Sequence, residues 1–210
     1  MSLKIGDTAP DFSANTTEGP IGFYKFLNNR WGILFSHPGD YTPICTTELG
    51  RTAQLKDEFA KRDTKILAIS VDDIDSHRGW INDINGTQNT FVDFPIIADP
   101  DKKISRLYEM IHDNESSSAT VRSVYFISPD KKIKANITYP ASTGRNFAEI
   151  LRVLDSLKLT SEYSIGTPVD WERGQDVIIS TAVKDEEISK KFPKGHRVVN
   201  SYLRYTPQPD

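Results

Sequence analysis

Apolar and polar positions along the chain alternate between two rhythms. "GILFS" (32–36), "TKILAISV" (64–71) and "FPIIADP" (94–100) are short continuous apolar runs, each followed by a turn or polar stretch. Runs of this kind read as buried strands. Between them, apolar residues return every three or four positions. Leu49, Thr52, Leu55 and Phe59 put one buried face on a helix that opens at Thr42-Pro43. Threonine suits an N-cap, and proline suits the first helical position. "SHRGWINDI" (76–84) and "DKKISRLYEMI" (101–111) predict further helices. "VRSVYFIS" (121–128) and "KIKANITY" (132–139) flank Pro129-Asp130-Lys131-Lys132 and predict a hairpin. "RNFAEILRVLDSLKL" (145–159) carries the clearest helical stripe, through Phe147, Ile150, Leu151, Leu154 and Leu157.

Strands alternating with helices, and one late hairpin, predict an α/β domain over residues 1–160. The rhythm then changes. "GTPVDWERGQDVIIS" and "SYLRYTPQPD" bring prolines, short strand signals and few helix signals. Residues 161–210 therefore read as a separate small β-rich extension. It is too short to hold much core alone, so it is expected to pack on the main domain or on another subunit. The polar stretch "HDNESSSAT" (112–120) reads as a loop.

Composition narrows the function classes. A net charge of -3 over 210 residues offers no general attraction to nucleic acid or to an anionic membrane. No apolar run is long enough to span a bilayer, and the N-terminal stretch lacks the apolar centre of a signal peptide. The four histidines are scattered and no Cys-x-x-Cys or His-Glu-x-x-His occurs, so no metal site is expected. "DDID" (72–75) reads as a solvated acidic loop, and "KDEEISKKFPKG" (184–195) as an exposed helix of mixed charge. The single cysteine makes no intramolecular disulfide, which points to a reducing compartment, the cytoplasm.

That cysteine, Cys45, lies in "SHPGDYTPICTTELG" (36–50). With Thr42 as N-cap it occupies the third helical position, facing unpaired N–H groups and the positive end of the helix dipole. Helix N-termini favour thiolate over thiol, and the thiolate is the nucleophile. Two readings fit this placement: a reactive sulfur, or a small buried apolar residue of the kind free cysteines often are. Spacing alone does not name an electrophile.

"PGDYTPIC" resembles the Pro-x-x-x-Thr-x-x-Cys signature of the peroxiredoxins. "GDTAPDF" (6–12) is similar to that family's N-terminal strand, "CTTELG" to the segment after its cysteine, and "VRSVYFISPD" (121–130) to its arginine-bearing strand. "YPASTGRNFAEILRVLDSL", "TPVDWERG" and "YLRYTPQP" resemble the one-cysteine branch. The resemblance spans essentially the whole chain. It implies a thioredoxin-like fold with a C-terminal extension that helps build a homodimer, and a thiol peroxidase acting on hydrogen peroxide and organic hydroperoxides.

By motif position, Cys45 would be the peroxidatic nucleophile. Thr42 would hydrogen-bond the sulfur and the attacked oxygen, Pro38 would wall the pocket against water, and Arg122 would hold the thiolate and the charge developing on the leaving oxygen. Glu48 and Arg145 match an ion network around that arginine, and His37 matches a histidine near the sulfur. Each also fits a plainer role, as a helix pair or a loop histidine. With no second cysteine, the sulfenic acid must be reduced by an external thiol such as glutathione or thioredoxin, with no cofactor. Two other classes are compatible with the motif: a redox sensor or chaperone-like binding module in which Cys45 oxidation is a signal, or a glutathione-transfer enzyme on the same fold. The latter is disfavoured because the C-terminal region does not read as helical.

Mammalian members of the branch are also credited with a lipase-type activity built on a Gly-x-Ser-x-Gly turn. Here the matching segment is "NNRWG" (28–32), with Arg30 at the serine position, Asn28 at the first glycine and Tyr24 at the histidine. Asp130 is present in its turn. No serine-based phospholipase is expected.

Overall fold

A computed structural model describes residues 3–210. Met1 and Ser2, the start of the segment read for a signal peptide, lie outside them. The chain divides into two compact units, 1–147 and 148–210.

The first unit opens with β1 (Ser13–Thr16), β2 (Gly19–Gly22) and α1 (Phe23–Leu27). It continues through β3 (Trp31–Ser36), α2 (Pro43–Gln54), α3 (Lys56–Lys61), β4 (Thr64–Ser70) and α4 (Ile74–Gln88). β5 (Ile96–Ala98), α5 (Lys103–Leu107), β6 (Arg122–Ile127) and β7 (Ile133–Tyr139) complete it. The strands form one seven-stranded sheet in the order β2-β1-β5-β4-β3-β6-β7. β3, β4 and β5 run parallel; the other pairings are antiparallel. All six residues of β3 are buried, as its unbroken apolar run requires of a central strand. The expected alternation is present, and the fold is α/β and thioredoxin-like.

Several expectations shift in detail. Residues 6–12, expected as a strand, form only an isolated bridge, Thr8 to Lys132. Pro10 has no N–H to extend that pairing. The helix expected over 101–111 shrinks to α5. Glu109 turns to φ +52 between the buried Tyr108 and Met110. Tyr108 anchors there by donating its hydroxyl to the Pro10 carbonyl at 2.6 Å. "DDID" is not a loose acidic loop. Asp73 caps α4 by accepting from the Ser76 N–H at 2.8 Å, and Asp72 accepts from the Asp40 N–H at 3.0 Å.

The second unit contains most of α6 (Phe147–Glu162), then β8 (Ile165–Gly166), β9 (Val177–Ile179), α7 (Asp185–Lys191), β10 (Arg197–Asn200) and β11 (Leu203–Thr206). Its strands form an antiparallel sheet ordered β10-β11-β9-β8. Trp171, Val177, Ile179, Ile188 and Phe192 make its core, with Leu159 and Tyr163 packed against them. The helix expected at 145–159 thus contributes Leu159 to this core, and all of it from Ala148 on groups with the C-terminal unit. Within α6, Phe147, Ile150 and Leu154 are buried, while Leu151 and Leu157 are partly so.

Candidate active site

The site forms where β3 runs out. After Ser36 the chain passes through His37, Pro38, Gly39, Asp40 and Tyr41 before α2 begins at Pro43. Tyr41 adopts φ +53, and its ring sits over Gly79 of α4, where an added Cβ would stand 2.5 Å from the phenol oxygen. Thr42 is the N-cap by position, with extended backbone, but its hydroxyl makes no capping bond. It donates instead to the Gly39 carbonyl at 2.9 Å, which tightens the loop. The expected hydrogen bond from Thr42 to the sulfur is not made in this structure.

Cys45 is the third residue of α2 and is fully buried. The apolar-residue reading and the reactive reading both predict burial; its neighbours decide between them. β6 pairs antiparallel to β3 with Phe35 opposite Val124, so the same register sets Arg122 level with the loop just past Ser36. Arg122 Nη1 donates to the sulfur at 3.3 Å and to Glu48 Oε2 at 2.7 Å. Its Nε and Nη2 both donate to the Ala141 carbonyl, at 3.0 and 2.7 Å. A guanidinium holds such a fork rigidly and stays charged. A buried apolar cysteine has no need of one.

Glu48 lies one turn beyond Cys45 on α2 and receives a second arginine. Arg145 binds Glu48 Oε1 through its backbone N–H (2.8 Å) and Nε (2.9 Å), and Oε2 through Nη2 (2.6 Å). Its Nη1 donates to the carbonyls of Ser36 (2.8 Å) and Ser123 (3.3 Å), the ends of β3 and β6. The plainer reading, a surface helix pair, is excluded: all three side chains are at most 4% exposed. Burial alone would raise the Glu48 carboxyl, but Arg145 and then Arg122 outweigh it and hold it below the ordinary carboxylate range.

Pro38 is half-buried at the head of the loop, a place that suits a pocket wall. His37 is fully buried. Its carbonyl accepts from Thr120 Oγ1 at 2.7 Å, and its ring lies 5.2 Å from that of Trp80. Trp80 in turn donates to Thr46 Oγ1, beside Cys45, at 3.1 Å. Burial lowers the basicity of His37; the adjoining Asp40 carboxylate offsets this only in part.

The scattered histidines of the sequence are not all scattered in space. His37, Asp40 and His77 come together, their nearest ligand-type atoms within 4.8 Å of one another. Sequence reasoning missed Asp40 and His77. Asp40 lies in the 36–50 loop, but nothing in the sequence pairs it with a helix residue far along the chain.

Residues 5–136 match the AhpC/TSA family model. The chain is 56% identical to a 1-Cys peroxiredoxin of Dictyostelium discoideum, over 99% of this chain and 86% of that one. It is 48% identical to peroxiredoxin-6 of Rattus norvegicus, over 99% and 98%. Among solved structures, the C45S mutant of peroxiredoxin 6 of Arenicola marina superposes with a TM-score of 0.93 at 42% identity, over the full length of both chains. A yeast mitochondrial 1-Cys peroxiredoxin, solved to explain thiol resolution via glutathione/thioredoxin systems, gives 0.91 at 44% identity, over 98% and 99%.

Proposed function

The chain belongs to the AhpC/TSA family, in its one-cysteine peroxiredoxin branch, and from that premise we propose how its buried site reduces peroxide. The chain is a thiol-dependent peroxidase with a single cysteine, Cys45. Its sulfur attacks the terminal oxygen of a peroxide in line with the O–O bond. That bond breaks, its electron pair stays on the leaving oxygen, and a proton completes water or an alcohol. Cys45 is left as sulfenic acid.

The observation that carries this reading is Arg122 Nη1, 3.3 Å from the sulfur at the start of a helix. Charge that gathers on the leaving oxygen needs donors already in place, because such donors do not have to reorganise as the bond breaks. Arg122 supplies one. Ala141 holds two of its nitrogens and Glu48 shares the third, so the guanidinium has no freedom to swing away. Arg145 acts through Glu48. Thr42, one turn before the sulfur, offers a hydroxyl oxygen as acceptor once its hydrogen is given to Gly39. Pro38 closes the loop side.

An external thiol completes the cycle. It condenses with the sulfenic acid to a mixed disulfide, releasing water, and a second thiol releases Cys45. Glutathione and thioredoxin fit this role, as they serve the yeast relative. No resident cofactor enters these steps. The reading extends to a homodimer and to a reducing compartment, the cytoplasm. The dimer is supported by Val169, Val198 and Tyr202, exposed apolar side chains of the second unit, and the compartment by the lone thiol.

The test is steady-state peroxide reduction with glutathione, and separately with thioredoxin and its reductase, comparing wild type with Cys45→Ser. Repeated turnover that vanishes in the variant supports the enzyme. A single stoichiometric oxidation with neither donor sustaining turnover overturns it in favour of a sensor.

A further inference from the structure

Behind the cysteine loop lies a buried chain of three ionisable groups. His77, on α4, is fully buried, and both its ring nitrogens are engaged. Nε2 lies 3.1 Å from the Ile97 carbonyl and Nδ1 lies 2.7 Å from Asp40 Oδ2. A carbonyl only accepts, so Nε2 carries a hydrogen. An ionised carboxylate also only accepts, so Nδ1 carries one too. Ser76 Oγ donates to the same Asp40 oxygen at 2.8 Å. Burial works against charge on Asp40, yet the hydrogen bonds from His37 and His77 outweigh it and keep the carboxyl ionised well below its ordinary range. Both His77 nitrogens thus face acceptors, one of them the Asp40 carboxylate.

The remaining carboxylate oxygen, Asp40 Oδ1, lies 2.9 Å from His37 Nε2. That nitrogen must donate. His37 Nδ1 is therefore left as a bare lone pair, and it is buried with no hydrogen-bond partner. In a network where every other atom is satisfied, an orphaned acceptor calls for an explanation.

We propose that Asp40 and His77 are positioning residues for His37 in the loop that leads to Cys45: a buried ion pair that fixes His37 as a neutral imidazole with its hydrogen on Nε2 and its Nδ1 lone pair open. The kinetic readout rests on the peroxidase reading; the protonation pattern does not. The charged groups around His37 agree with this state. Asp40 and His77 cancel one another, Arg145 opposes a further positive charge, and Asp72 is bound to the Asp40 backbone rather than to the ring. A cation at the same three residues is a poorer fit. The short contacts of 2.7 and 2.9 Å are hydrogen bonds, whereas ligand atoms around a tetrahedral ion at about 2.0–2.1 Å stand roughly 3.3 Å apart.

Nitrogen-15 spectra of the reduced, histidine-labelled protein at neutral pH test the pattern directly. One ring should be protonated at both nitrogens, its signals lost in His77→Gln. A neutral ring protonated at Nε2 should be lost in His37→Asn. A neutral His77, or a His37 protonated at Nδ1, overturns the proposal. If a variant fails to fold, His112→Gln and His196→Gln remove the two exposed rings, and the remaining signals, from His37 and His77 alone, decide.

The rate of Cys45 oxidation against pH gives a second test. His77→Gln leaves the Asp40 carboxylate without its cation, so Asp40 favours a second proton on His37 and the acid limb should move to higher pH by about one unit or more. Asp40→Asn removes the carboxylate, so the limb should move to lower pH by a similar amount. Shifts in one direction, or none, overturn the proposal, because a merely structural loss would not split the two variants. A protein that consumes no peroxide at all, with the expected spectrum intact, would sink the peroxidase reading and leave the ion pair standing.

Discussion

Arg145 grips Glu48 through three separate nitrogens, one from the backbone and two from the guanidinium, at 2.6–2.9 Å and out of contact with water. Removing the charge of Glu48 leaves two buried guanidiniums facing each other. Glu48→Gln should lower stability by about 3–5 kcal/mol at neutral pH, the usual result of breaking a buried pair. The pH dependence has a fixed sign. A carboxyl whose folded value is depressed stabilises the fold above its unfolded value and loses that contribution as pH falls through the folded one. The gap between wild type and Glu48→Gln in denaturant melts should therefore narrow below the ordinary carboxylate range. A constant gap would contradict the network's charge. His37, whose basicity burial lowers, acts in the same direction from about pH 6.5 downward.

Arg122→Ala should slow oxidation of Cys45 by about 10²–10³-fold, the effect of removing one preorganised donor from a developing oxyanion. Arg122→Lys should recover little of this. One ammonium cannot take the Ala141 carbonyl, Glu48 and the sulfur together. Stopped-flow fluorescence with limiting peroxide measures both, and a lysine variant within a few-fold of wild type would show that charge alone suffices.

Excess peroxide without a thiol donor should inactivate the enzyme. The chain has no second cysteine to trap the sulfenic acid, so a further peroxide carries it to sulfinic acid. Intact-mass spectrometry should show a two-oxygen species growing as activity falls, and a stable single-oxygen species under the same conditions would refute this.

A lipase-type activity should be absent. Arg30 pairs with Asp63 at 3.1 Å, the Tyr24 hydroxyl donates to the Ala9 carbonyl at 2.5 Å, and Asp130 accepts from Ser128 within its own turn. None of the three is a nucleophile or stands free to activate one. Hydrolysis of phospholipid vesicles that a serine-directed inhibitor abolishes would contradict this.

The parts of the fold that burial drives were legible. β3 and β4 are built on the apolar runs "GILF" and "ILAI", and the α2 start follows from Thr-Pro chemistry at its first turn. β1, β2 and α1 were not. "SANT" and "GPIG" carry neither alternation nor a run, and their pairing is set by tertiary neighbours. α5 ends at Leu107, before the buried Tyr108 and Met110 and the positive φ of Glu109, which no periodicity marks. In the site, motif resemblance singles out Cys45 and Arg122, and the fold brings them together. The Asp40–His77 pair was out of reach, because a hydrogen bond between a loop and a distant helix leaves no periodicity in the chain.

The complete burial of Cys45 divides the catalytic cycle by size. A thiol as large as glutathione needs more of the sulfur uncovered than a hydrogen peroxide molecule does, so the contacts that bury Cys45 bear differently on oxidation and on repair. Whatever strengthens the Arg122 fork should quicken the attack and, by the same contacts, delay the rescue, leaving sulfenic acid exposed for longer to the next peroxide.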